Sequence, residues 1–158
     1  MADEIFPLEP SLEFVFEARV QVDPPMILGE AGGIQRRIVP ILGGPVEGPG
    51  FRGKVLPFGA DWQQVRGDGV TQVLARYVIQ AEDGTLISVV NQGVRRAGPE
   101  AIRRLLAGQP VDPSLVYFRA VPTFEVDPGP HGWLAENVFV TAGVRRPDAV
   151  EIRFYVVR

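Results

Sequence analysis

The sequence contains no cysteine, which removes disulfides, thiolate nucleophiles and thiolate metal sites together. It has one histidine, His131, set in Pro-Gly-Pro-His-Gly, a context that reads as a solvent-facing turn rather than a base. One histidine and no cysteine leave little for a transition metal, no calcium-loop spacing is present, and no cofactor is expected. Its serines are Ser11, Ser88 and Ser114, and none stands in a G-x-S-x-G setting, so a hydrolase triad has no nucleophile. Charge of one sign is also missing. The formal net charge is -3, with arginine and acid mixed along the chain, which offers no footprint for a polyphosphate and disfavours nucleic acid. No stretch approaches membrane-spanning length, and nothing near Met1 pairs a charged start with an apolar run, so no membrane partner and a cytoplasmic location are expected.

Apolar residue is present in quantity. At 158 residues the chain is expected to form one domain over 1–158, after a loose lead-in over 1–10, with enough Leu, Val, Ile and Phe to bury a core. Its centre of gravity is GEAGGIQRRIVPILGGPVEGPGFRGKVLPFGADWQQVRGD, from Gly29 to Asp68, with nine glycines and four prolines between Gly29 and Gly59. Such density usually means loop, yet bulky apolar residues run through it and require burial. Short, sharply bent strands crossing the rim of a closed sheet reconcile the two. One literal match to G-x-G-x-x-G, Gly48 to Gly53, is followed by Lys54-Val55-Leu56-Pro57. That run is extended and proline-stopped, so no helix opens to receive a pyrophosphate.

Around this segment the periodicity is mostly two. Leu12 to Val22 alternates apolar with polar and predicts a strand with one buried face. Gly69 to Ala81 and Thr85 to about Val94 flank Asp83-Gly84, the signature of a two-residue hairpin turn. That turn sets Arg76 opposite Asn91. Pro99 to about Ala107 predicts the single short helix, with proline at its start, Gly108 past its end and Ile102, Leu105 and Leu106 in one stripe. Further strands are expected over Val116–Val126, Glu136–Val144 and Val150–Val157. The fold class is therefore all-β: a closed antiparallel barrel of about eight strands with one short helix, a sandwich being the alternative.

Polar residues scattered on these strands make the candidate site. Arg76 and Asn91 share a face by the hairpin pairing; Tyr117, Arg119 and Glu125 share one on the strand after the helix; Asp61-Trp62 closes the glycine-rich segment; and Trp133 with Asn137 opens the next strand. If the strands close on one lumen, Asp61, Glu125 and Tyr117 are the candidate catalytic groups. Trp62, Arg76, Asn91, Arg119, Trp133 and Asn137 are then the candidate ligand-binding ones. The bland reading is Arg76 and Arg119 as halves of structural ion pairs with Asp61 and Glu125, and the two tryptophans as core anchors. In each adjacent pair, Arg36-Arg37 and Arg95-Arg96, at most one member can face a lumen.

The runs RRIVPILGGPVEGPGFRGKVLPFGADWQ, ARYVIQAEDGTLISVVNQGVR, YFRAVPTFEV and WLAENVFVTAGVRR together resemble domain-of-unknown-function family 3237, over roughly Leu12 to Tyr155. The resemblance rests on Arg36, Gly43, Gly44, Gly48, Gly53, Asp61, Trp62, Arg76, Tyr77, Asn91, Arg119, Glu125 and Asn137. It departs from the pattern at His131. It implies a compact antiparallel barrel similar in outline to lipocalin-like and allene-oxide-cyclase-like barrels, and it implies no chemistry. Three functions are expected in turn: a barrel binding a small, partly apolar, anionic molecule; a cofactor-independent isomerase, cyclase or hydratase using a lumen carboxylate; and a structural subunit of a homo-oligomer.

Overall fold

The computed structural model describes residues 8–158. Most of the expected lead-in over residues 1–10 lies outside them, and Leu8 to Pro10 are exposed. Ten strands form one antiparallel sheet: β1 (Leu12–Val22), β2 (Met26–Ala31), β3 (Ile34–Glu47), β4 (Gly53–Val55), β5 (Ala60–Arg66), β6 (Val70–Ala81), β7 (Leu86–Ala97), β8 (Val116–Glu125), β9 (Phe139–Arg145) and β10 (Ala149–Val157). The helix α1 (Pro99–Leu106) joins β7 to β8. Neighbours run β1-β10-β9-β8-β7-β6, then β4 and β5 in turn, then β3, which pairs back with β1. With β4 and β5 sharing one position, that circuit is an eight-strand closed barrel, which removes the sheet edges a sandwich would leave.

The glycine-rich segment holds the expected short strands, β4 and β5, and before them one long bent strand, β3. Strand β3 pairs with β2 and β5 along Ile34–Pro40, then crosses to pair with β1 and β4 around Gly43–Glu47. The crossover needs glycine. Gly44 has φ of +152°, and a Cβ there would stand 1.9 Å from the Arg19 carbonyl oxygen of β1. Because the obstacle is backbone, Gly44→Ala must open the β1–β3 seam. We expect a loss of about 2–3 kcal/mol, read as a lowered urea midpoint with an unchanged slope.

The β6–β7 hairpin departs from expectation by one residue. Ala81 pairs with Thr85 through Ala81 N–H to the Thr85 carbonyl, and Gly84 N–H returns to the Ala81 carbonyl. Only Gly84 takes positive φ, +90°; Asp83 does not. The loop is thus the three-residue type with glycine at the left-handed position, not the two-residue type that needs both residues there. Arg76 consequently faces Val90, and Asn91 faces Ala75. A one-residue slip exchanges the two faces of a strand relative to its partner.

Inward residues divide the interior into two halves. In the lower half Phe16, Phe154, Phe124 and Phe139 pack ring on ring, with Phe16 stacked on Phe154 at 4.4 Å between centroids. A short 3-10 turn, Gly132–Ala135, closes this end with buried Leu134 and with Trp133 against Phe139. The upper half, towards the ends of β1 and β7, is lined by smaller and polar groups. There α1 buries Ala101, Ile102 and Leu105, with Ile102 against Gly69 at the start of β6. No helix among the described residues is long and apolar enough to cross a membrane.

Candidate functional site: a polar chamber in the upper barrel

Strand alternation places Arg37 inward beside Val39 and Ile41 on β3, and Asp61 inward beside Gln63 and Val65 on β5. It does the same for Thr71, Val73 and Tyr77 on β6 and for Asn91 and Arg95 on β7. Arg145 enters from the end of β9. Asp61, Gln63, Tyr77, Asn91, Arg95 and Arg145 line a cavity of about 50 Å³ whose remaining walls are aliphatic residues of β1, β3, β6 and β10 and the Phe118 ring. Arg37 and Thr71, paired across the sheet with Gln63 and Arg95, are buried beside it.

Hydrogen bonding in this chamber is incomplete. Asp61 accepts from Leu74 N–H at 3.1 Å and from Gln63 Nε2 at 2.8 Å. Asn91 Nδ2 donates to Thr141 Oγ1 at 3.5 Å. Six buried polar atoms find no partner among the described residues: Arg37 Nε, Gln63 Oε1, Thr71 Oγ1, Tyr77 O–H, Asn91 Oδ1 and Arg95 Nε. All six sit on the inner faces of β3, β5, β6 and β7. Native proteins leave few such atoms, so their concentration in one place marks a site rather than a filled core.

The electrostatics follow from burial. Loss of water raises the Asp61 carboxyl above its ordinary range, against the opposing pull of the Gln63 hydrogen bond and the Arg95 charge. Burial, and then the Asp61 charge, push the Tyr77 phenol up, so it stays a neutral donor. Burial pushes Arg95 down to about 10, opposed by Asp61 and aided by Arg37 and Arg145. Arg37 is lowered by burial and by Arg145, and Arg145 by burial against the pull of Asp148. The chamber thus holds an acid inclined to keep its proton, a neutral phenol and three strained cations.

Of the residues singled out from sequence, Asp61 and Asn91 reach this chamber. The rest do not, which corrects the expected convergence. Arg76 points outward because of the hairpin register, and Trp62 faces outward in a groove with Leu28 and Leu74. Tyr117, Arg119 and Glu125 share a face as expected, but it is the exposed one, while Phe118, Ala120 and Phe124 turn inward. Tyr117 lies under the guanidinium groups of Arg96 at 4.6 Å and Arg119 at 5.6 Å, an outer-surface stack. Trp133 belongs to the lower closure, and exposed Asn137 donates to its carbonyl at 2.8 Å. Neither expected ion pair forms: among the described residues no carboxylate lies within 4.0 Å of Arg76 or Arg119. His131 meets Asp83 at 2.8 Å beside the β6–β7 turn, away from the chamber.

The sequence reading placed none of Arg37, Gln63, Tyr77, Arg95 and Arg145 in the candidate site, although Tyr77 stands in the family pattern and Arg37 and Arg95 in the two arginine pairs. A usable signal existed for two of them. Each adjacent arginine pair sends one member inward, and alternation with Val39 and Ile41 selects Arg37, as alternation with Val89 and Asn91 selects Arg95. Among the described residues no three acidic, histidine or cysteine side chains gather to hold a metal.

A closed antiparallel barrel with a half-filled interior and a polar upper chamber is the class that fold and site define. The chain belongs to the family described as "Protein of unknown function (DUF3237)", whose model matches residues 10–157. It is 40% identical over 147 residues to a UPF0311 protein of Rhodopseudomonas palustris strain TIE-1, covering 92% of this chain and 96% of the relative. A partial match, 34% identical over 84 residues (52% of this chain and 55% of the other), is to the hydroalkoxylation enzyme phnH of Penicillium herquei. The crystal structure of a conserved protein of unknown function from Rhodopseudomonas palustris superposes with a TM-score of 0.89 at 37% identity, covering 97% of this chain and 100% of that one. An enzyme structure from Penicillium herquei shares the fold, with a TM-score of 0.73 at 20% identity, covering 98% of this chain and 99% of the other.

Proposed function

We propose that the upper chamber is the active site of a cofactor-independent enzyme that adds a hydroxyl group across a carbon–carbon double bond, with Asp61 as the proton-transfer residue. The observation that carries this reading is Asp61 itself. It is an inward carboxyl with no cation within 4.0 Å, among the described residues, and loss of water raises its pKa. A carboxyl tuned upward towards neutral pH is what general acid–base work asks for. The partial likeness to a hydroalkoxylation enzyme supports the reaction class.

The step balances without an oxidant or a cofactor. Asp61 delivers its proton to one alkene carbon, the substrate hydroxyl oxygen bonds to the other, and the hydroxyl proton returns to the carboxylate. The Leu74 N–H and Gln63 Nε2 hold the carboxylate in place during the exchange. Tyr77, whose phenol oxygen has no partner among the described residues and faces the same space, is placed to accept a hydrogen bond from the substrate hydroxyl and orient it towards the alkene.

The test is turnover of a panel of small hydroxyalkenes in D2O, followed by NMR. Cyclic or branched ether carrying deuterium at the newly saturated carbon is the expected product. Absence of product across the panel, or an equal rate from Asp61→Asn, overturns the assignment.

A further inference from the structure

Three arginines share the chamber with one carboxyl that tends to stay neutral. Arg37 is 6% exposed and Arg95 3% exposed. Arg145 enters from β9, where it spends one nitrogen on the Ala149 carbonyl at 3.1 Å. Among the described residues no carboxylate oxygen lies within 4.0 Å of any of the three. Arg37 and Arg95 are buried cations without a partner, which is costly, and the three guanidinium groups also repel one another, since Arg145 acts on Arg37 and both act on Arg95. A purely structural role would pair them or leave them in water.

We propose that the chamber is built to receive a carboxylate, gripped by Arg95 and Arg145, with the charge of Arg37 behind them. The substrate of the reaction proposed above is therefore an unsaturated hydroxy acid or an equivalent acid-bearing molecule; the inference rests on that chamber being the active site. The free Nε of Arg95, which lines the cavity, leaves the side-on fork of its guanidinium open, the geometry that meets a carboxylate with two parallel hydrogen bonds. Arg95 is backed by the Phe118 ring at 5.7 Å, which fixes its plane. Size agrees as well. About 50 Å³, at roughly 10–15 Å³ for each water-sized occupant, holds about four heavy atoms, which is the carboxylate end of such an acid with its first carbon and is matched by acetate.

Sodium acetate is therefore the probe, with sodium chloride at equal ionic strength and acetamide as the uncharged isostere, read as melting temperature at pH 7. Acetate should raise the melting temperature by about 3 °C or more at saturation, and the two controls should not. Arg95→Gln should abolish the response, Arg145→Gln should weaken it, and exposed Arg96→Gln should keep it. Equal shifts from acetamide or chloride, or an undiminished shift in both Arg95→Gln and Arg145→Gln, overturn the proposal. Asp61→Asn separates this inference from the reaction. It should respond to acetate while turning nothing over, so an acetate response without turnover in the wild type removes the chemistry and leaves the anion site standing. Turnover without an acetate response does the reverse.

Discussion

Phe16→Ala should lower the stability of the barrel by about 3–5 kcal/mol, the upper range for emptying a buried aromatic site. Phe16 has no exposed surface. It stacks on Phe154 at 4.4 Å, meets Phe51 at 5.4 Å and Phe124 at 6.4 Å, and so ties β1, β8, β10 and the segment before β4 together. The site cannot collapse onto a smaller side chain. A Cβ at Gly48 would lie 2.4 Å from the Phe16 Cα, so the facing backbone is already in contact and has no room to follow. Phe14, two positions earlier and 37% exposed, supplies the control, and its alanine variant should cost less than half as much. Urea unfolding of both variants decides the matter. Equal midpoints would mean that the phenylalanine cluster is not what closes the lower barrel.

That cluster also explains how much of the molecule could be read from its residues. Strands β1 and β10, and the helix between Pro99 and Leu106, carry periodicity and end signals strong enough to place them to within a residue or two. Closure followed from the number of strands and from glycine at the bend. The interior could not be read in the same way, because period two divides a strand into faces without saying which face turns in. On β8 the division was right, and only the packing of Phe124 against rings from β1, β9 and β10, with Phe118 turned against Arg95, selects the inner side. On β6 and β7 the answer hangs on one backbone torsion, Asp83 staying at negative φ while Gly84 does not. Asp-Gly permits both loop lengths, and the choice sends Tyr77 inward and Arg76 out. Arg145 carried no local signal at all, since its place depends on where the β9–β10 hairpin meets the ends of β1 and β3.

Asp61→Asn should separate catalysis from stability in opposite directions. Turnover in the proposed reaction should fall about 10²–10⁴-fold, the usual worth of a positioned acid–base group. Folding should improve at neutral pH. The amide keeps an acceptor for Leu74 N–H, and once the Gln63 amide turns over its new N–H meets Gln63 Oε1, which has no partner among the described residues of the wild type. The pH dependence fixes the cause. Burial raises the folded-state pKa of Asp61 above the ordinary 3.8, so the folded protein holds a proton that the unfolded chain has released. Stability attributable to this group is therefore highest below pH 3.8 and declines as pH rises through the raised folded value, the reverse of an ion-paired carboxylate. The difference in unfolding free energy between Asp61→Asn and wild type should accordingly be smallest in acid, grow across that window and level off above it. Activity of the wild type should fall over the same raised pKa, because the protonated acid is the working form. A stability difference that is flat with pH would show that Asp61 keeps an ordinary, solvated carboxylate. The chamber would then lose its acid.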